Sequence, residues 1–264
     1  MENIFAKKSL GQNFLKSKTA LLAMIKAGDI TNKDTVLEIG PGKGVLTEKL
    51  LETGAKVIAV EKDDRLIEVL NEKFASETQK DQFTLIHGDI LDMDLEKLGF
   101  KTVDYKLIAN IPYYITGLIF RKFLEGNIQP RKLVIMVQKE IADRIIARDN
   151  KESLLSLSVK AYGIAKKVMK VEKENFSPAP KVDSAILLVD NISKDFFKEI
   201  TEQHFFEVIK TGFAHKRKML IANLKEKFGK NDLYKIFQEL NISEKARSED
   251  LKLENWKALI KKIY

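Results

Sequence analysis

The chain contains no cysteine. Disulfides and thiolate zinc sites are therefore excluded. Its three histidines, His87, His204 and His215, are scattered, so no His-rich metal site is expected. No apolar run reaches the length of a membrane span. The first fifteen residues, MENIFAKKSLGQNFL, lack a continuous apolar signal core. These absences predict a soluble, cytoplasmic protein with no membrane partner. Proline is scarce, and two of the five share one short stretch, Phe176-Ser177-Pro178-Ala179-Pro180.

What is present sets the class. With 44% hydrophobic and 32% charged residues, the chain can bury a core and is not of disordered composition. Its 264 residues suit one large domain, or one plus a small one. The net charge of +8 points to a polyanionic partner, of which nucleic acid is the commonest. Residues 194–264 hold 16 Lys and Arg against 11 Asp and Glu, a net +5 of that total.

The most informative stretch is YKLIANIPYYIT, residues 105–116. A buried-strand pattern, Leu107-Ile108-Ala109, stops at Asn110-Ile111-Pro112-Tyr113. In open α/β sheets ligands sit at the carboxyl ends of strands. Pro112 pushes Ile111 extended, which projects the Ile111 carbonyl as an acceptor beside the Asn110 side-chain oxygen. Tyr113 offers a stacking face. Together they suit a flat, amino-bearing base; the plain alternative is a strand exit built from turn formers.

Three other strand ends carry related signals. VLEIGPGKGVLTEKL gives a short strand, a glycine loop (Gly40, Gly42, Gly44) and a helix. Glycines let backbone approach a ligand closely. The third glycine comes one residue too early for a dinucleotide fingerprint, and no Gly-Lys-Ser/Thr follows as a P-loop requires. KVIAVEKDD (56–64) is a second strand whose Glu61 suits ribose hydroxyls. FTLIHGDILDMD (83–94) ends a third at Gly88-Asp89, where Asp89 can accept from an adenine amino group.

The remaining pattern continues the alternation. A helix is expected over 18–28, capped by Ser17, another near 117–125, and a strand running into a helix over 132–147. Further strands are expected near 166–172 and at 184–190. This predicts a largely parallel sheet with helices on both faces. After about residue 192 only helical periodicity remains, with Phe205, Val208, Ile209 and Phe213 on one face. The expected division is an α/β domain over 1–192 and a helical domain over 193–264. His215-Lys216-Arg217-Lys218 reads either as a solvated helix face or as a nucleic-acid contact, and Lys7 and Lys8 read as a basic tail or as part of a segment folding over a ligand.

The glycine loop, Glu61, Asp89 and Asn110-Ile111-Pro112-Tyr113 together resemble an S-adenosylmethionine-dependent methyltransferase acting on an adenine amino nitrogen. Leu10-Gly11-Gln12-Asn13-Phe14-Leu15, Met136-Val137-Gln138-Lys139-Glu140 and Phe176 through Ala185 resemble the ribosomal RNA adenine dimethyltransferase family over nearly the whole chain. Phe213 through Leu220 resembles the branch acting on 16S rRNA, the kasugamycin-resistance enzymes, more than the 23S branch of macrolide resistance. Lys216 stands where that branch usually has arginine, which keeps the charge and loses the bidentate fork. The resemblance implies a Rossmann-like, seven-stranded sheet with a small C-terminal helical domain, acting as a monomer on 16S rRNA of the small ribosomal subunit. It implies that Asn13, Leu15, Gly40, Gly42, Glu61, Asp89 and Asn110 bind S-adenosylmethionine. Asn110, Ile111, Pro112, Tyr113 and a clamping Phe176 would form the catalytic set. Lys7, Lys8, Lys216, Arg217 and Lys218 would meet RNA phosphates. Competing classes are a nicotinamide oxidoreductase, which lacks a plausible hydride-site His or Lys here, and a non-catalytic ribosome assembly factor.

Overall fold

The computed structural model describes residues 6–7 and 10–264. Lys8, one of the expected RNA-binding lysines, lies outside them. In chain order the strands and helices are β1 (Phe14–Leu15), α1 (Lys18–Gly28), β2 (Thr35–Ile39), α2 (Val45–Leu51), β3 (Lys56–Glu61), α3 (Asp64–Lys73), α4 (Ala75–Gln79), β4 (Phe83–His87), β5 (Tyr105–Ala109), α5 (Thr116–Phe120), β6 (Lys132–Gln138), α6 (Lys139–Ile145), α7 (Leu154–Lys160), β7 (Ile164–Val171), β8 (Phe176–Ser177), β9 (Ser184–Asp190), α8 (Glu202–Gly212), α9 (Leu220–Phe228), α10 (Leu233–Glu239) and α11 (Leu253–Ile263). No helix among the described residues is long and apolar enough to cross a membrane.

The first compact unit comprises the chain up to residue 142 together with 164–192. Its seven-stranded sheet has the order β4-β3-β2-β5-β6-β9-β7. The five strands from β4 to β6 are parallel, and β9 enters antiparallel to both neighbours. Strands buried on both faces need apolar residues throughout. Every residue of β5 is buried, and Leu37, Leu107 and Leu133 sit side by side in register. Ser17 caps α1 by accepting from Ala20 N, and Ala20, Leu21 and Met24 bury against the sheet. The chain leaves β2 for β3 on one side and has β5 on the other. That reversal opens a crevice at the carboxyl ends of β2 and β5.

The second unit joins residues 143–163 to 193–264. A single division at 192 leaves out the first of these segments. Asp143–Gly163 groups with the tail because its polar groups are met there. Glu152 N donates to the Glu249 carbonyl at 2.8 Å, Lys252 Nζ donates to the Asn150 carbonyl at 2.7 Å, and Lys151 pairs with Asp250. Phe205, Val208, Ile209, Leu224, Phe237, Trp256 and Ile260 form the helical core, all buried. Phe213 stacks on Trp256.

Candidate active site

A pocket at the carboxyl end of β2 and β5 is lined by residues from six parts of the first unit. The loop after β2 supplies Gly40 and Gly42, both at positive φ. A Cβ on Gly42 would lie 3.1 Å from the Phe14 ring, so glycine is what lets the N-terminal segment close on the loop. Gly44 caps α2 at φ +73, and a Cβ there would strike Phe74 at 2.6 Å. The early third glycine thus serves packing of α2 on the chain following α3.

Glu61 ends β3 and is 5% exposed. Its Oε1 accepts from Lys62 N and Asp63 N, and its Oε2 from Gly42 N at 3.0 Å. A carboxylate has about four acceptor positions, so one on Oε2 remains. Burial pushes the Glu61 carboxyl up, and the three backbone amides only partly offset it. Glu38 is also buried, next to Thr47, and among the described residues neither of its carboxylate oxygens makes a hydrogen bond of good geometry. Burial lifts its pKa to about 8, with the nearby Glu61 charge adding to the effect. Asp89 accepts from Leu91 N and pairs with Lys62 Nζ at 2.6 Å. Burial raises its carboxyl, but these bonds outweigh that and hold it low.

Beyond β5, Asn110 Nδ2 donates to the Asn13 carbonyl at 3.3 Å. A carbonyl accepts only a donor, so the amide is oriented and Asn110 Oδ1 is left as an acceptor. No donor among the described residues meets the Ile111 carbonyl, while the Ile111 side chain is 2% exposed. Pro112 is extended at φ −57, ψ 135, and begins a short turn of helix. Tyr113 is half-buried, with its hydroxyl hydrogen-bonded to the fully buried Ser184 Oγ. Tyr114 is 64% exposed at the rim, with its ring beside Gly11.

The structure therefore gathers Asn13, Leu15, Gly40, Gly42, Glu61, Asp89, Asn110, Ile111, Pro112 and Tyr113 around one pocket. Phe176 is not among them. It is 2% exposed and belongs to the core with Leu15, its partner across the β1–β8 pair. The ring expected to clamp a base opposite Tyr113 is packed in the core in this structure and does not line the pocket. Lys7 is exposed. Lys216, Arg217 and Lys218 lie in the second unit, exposed on the loop between α8 and α9, with Lys218 paired to Glu226 at 3.0 Å. Sequence reasoning assigned no role to Gln12, Glu38, Asp63 or Ser184. An acid inside the otherwise apolar strand VLEI was a readable signal for Glu38; Ser184 and Gln12 sat inside quoted motifs with nothing local to mark their partners.

Comparison with known proteins places the chain in a family. The family model described as ribosomal RNA adenine dimethylase matches residues 4–264. A ribosomal RNA small subunit methyltransferase A from Dehalococcoides mccartyi is 41% identical over 96% of this chain and 87% of its own length. The protein of that name from Fusobacterium nucleatum is 38% identical over 97% and 96%. Among solved structures, a dimethyladenosine transferase from Plasmodium falciparum matches at TM-score 0.79 and 28% identity, over 93% of this chain and 95% of that one. The 23S rRNA methyltransferase ErmE shares the fold at TM-score 0.79 and 22% identity, over 95% and 99%. With its α/β methyltransferase sheet and these matches along nearly its whole length, the chain belongs to the ribosomal RNA adenine dimethylase family of methyltransferases.

Proposed function

We propose that this protein dimethylates the N6 nitrogen of two adjacent adenines near the 3' end of 16S rRNA, using S-adenosylmethionine. The observation that carries the reading is the oriented Asn110 amide, whose Oδ1 is left as an acceptor in the pocket that Ile111, with a carbonyl no described residue meets, also lines. An adenine amino group has two protons and a lone pair delocalised into the ring. Accepting a hydrogen bond from each N–H localises the lone pair on nitrogen and fixes its direction. Positioning of this kind supplies much of the rate in a displacement.

The pocket fits the methyl donor. Glu61 keeps an acceptor position for a ribose hydroxyl, Gly40 and Gly42 put no side chain in the way of a ligand, and Asp89 retains acceptor capacity beyond Lys62. Bound there, S-adenosylmethionine supplies an electrophilic methyl group on a cationic sulfonium. No strong base is needed from the protein, because the nitrogen turns cationic as it takes the methyl group and its proton is then acidic enough to leave to solvent. Tyr113, anchored through Ser184, holds a ring against the base and favours positive charge growing on nitrogen. For the second methyl the nitrogen carries one proton, and one of the two acceptors suffices.

The target base must be unstacked to enter. The helical residues 193–264, with their basic loop, would bind phosphates, and the first unit would carry the chemistry. The small-subunit target is favoured by relatives of that name at 37 to 41% identity over nearly the whole chain. The expected setting is the cytoplasm and the expected form a monomer. Mass mapping of methylated adenines on unmodified 30S and 50S particles, incubated with the protein and labelled cofactor, tests the reading. Label on two neighbouring adenines of 30S is expected. Label on 50S would move the reading to the 23S branch, and label on neither would leave an assembly factor.

A further inference from the structure

Residues 10–13 lie along the pocket, and Gln12 fastens them. Its Nε2 donates to Asp63 Oδ2 at 2.8 Å, and its Oε1 accepts from Lys7 N at 2.7 Å. Asp63 is a prepared partner. Its side chain is buried and held by Arg65, whose Nε and Nη2 reach it at 2.9 and 2.6 Å. Asp63 also caps α3. Its backbone N in turn donates to Glu61 Oε1 at 2.8 Å, and Glu61 Oε2 accepts from Gly42 N. Hydrogen bonds therefore run without a gap from Lys7 through Gln12, Asp63 and Glu61 to the glycine loop. On the other side, Asn110 Nδ2 holds the Asn13 carbonyl.

We infer that Gln12 is a positioning residue that clips the 10–13 segment over the pocket and couples its closure to occupation of Glu61 by the cofactor. The inference rests on the cofactor reading above. A ligand hydroxyl on Glu61 steadies the Asp63 turn, which steadies the acceptor that Gln12 grips. By linkage, a closed segment must raise cofactor affinity by the factor through which cofactor favours closure. The clip is local to this segment. With Gln12 removed, Asp63 keeps Arg65 and its cap, so the fold is retained.

The test uses the full chain and S-adenosylhomocysteine as probe, with calorimetric affinity and hydrogen exchange of residues 10–15 as readouts. Gln12→Ala should weaken binding about tenfold, the scale of a hydrogen bond to a charged group. It should also raise exchange of the segment in the bound protein towards the unbound level. Gln12→Glu keeps the acceptor for Lys7 N but turns an oxygen towards Asp63, so it should lose at least as much. A Gln12→Glu variant that binds normally would overturn the clip, as would unchanged affinity and exchange in Gln12→Ala. Glu61→Ala separates the two levels. If it binds the probe as the parent does, the cofactor reading itself fails; if it loses binding while both Gln12 variants are unaffected, only the clip fails.

Discussion

The Asn110 amide nitrogen lies 3.3 Å from the Asn13 carbonyl, so the N-terminal segment and the end of β5 are joined at the group that would face the base. Both halves of the amide then matter. Asn110→Ala removes the acceptor and should lower kcat for methyl transfer on the order of 10²-fold or more, a larger loss than that of S-adenosylhomocysteine affinity, which falls only by what the released Asn13 carbonyl contributed. Asn110→Asp keeps two oxygens but turns one of them at the Asn13 carbonyl. It should lose activity comparably. Single-turnover methylation with calorimetric binding separates these effects, and normal turnover in Asn110→Ala would remove the acceptor role.

Phe176 gives an opposite expectation. As a core residue beside Leu15 it needs bulk, not aromaticity. Phe176→Leu should keep methyl transfer within a few-fold, while Phe176→Ala should cost about 3–5 kcal/mol in urea unfolding. A stacking clamp would behave differently, losing about 1–3 kcal/mol of transition-state or RNA binding in Phe176→Leu.

That contrast shows what is readable locally. Strands β2, β3 and β5 were legible because a strand buried on both faces must be largely apolar, and the edge strand β4 by its short apolar run before Gly88-Asp89; an acid or amide at such an end then stands out. Glu61, Asp89 and Asn110 were found this way. A proline-flanked phenylalanine signals a stiff loop but not which way the ring points. The direction of Phe176 comes from pairing of β8 with β1, residues distant in sequence. The same holds for Gln12, whose partner Asp63 lies 51 positions on. It holds also for Asp143–Gly163, a segment within the expected α/β domain that the tail's Glu249, Asp250 and Lys252 draw into the second unit.

The sheet's other end makes a stability prediction. Lys106 is 4% exposed, pairing with Asp34 at 3.0 Å and donating to the Asp29 carbonyl at 2.6 Å. Arg131 also reaches Asp34, at 2.9 Å, but is half exposed. Asp34→Asn leaves a buried ammonium without its counter-charge and should cost about 3 kcal/mol or more. Arg131→Ala should cost less than about 1 kcal/mol. Urea unfolding of both variants checks the ranking.

The basic loop is a separate test in the second unit. Lys216 and Arg217 are exposed, and Lys218 gives part of its charge to Glu226. Replacing all three by alanine should weaken small-subunit binding. It should also flatten the log–log salt dependence by about one for each phosphate that is no longer neutralised. Cofactor affinity should not change. An unaltered slope would make the loop a solvated surface.

Glu38 predicts how stability depends on pH. Burial raises its carboxyl to about 8 in the folded protein, against 4.5 for the ordinary group. Below pH 4.5 both states hold the proton and Glu38 contributes no difference. Between 4.5 and 8 the folded state binds more protons than the unfolded one, so stability falls as pH rises. The raised Glu61 carboxyl adds to the same slope. Asp34 and Asp63, whose carboxyls are lowered, contribute their own slopes below pH 3.8, outside this window. The protein without cofactor should therefore melt at lower temperature at pH 8.5 than at pH 5.5. Glu38→Gln, neutral at every pH, should flatten that difference and gain most over the parent at pH 8.5. An equal pH slope in the variant and the parent would mean that Glu38 is already charged in the fold.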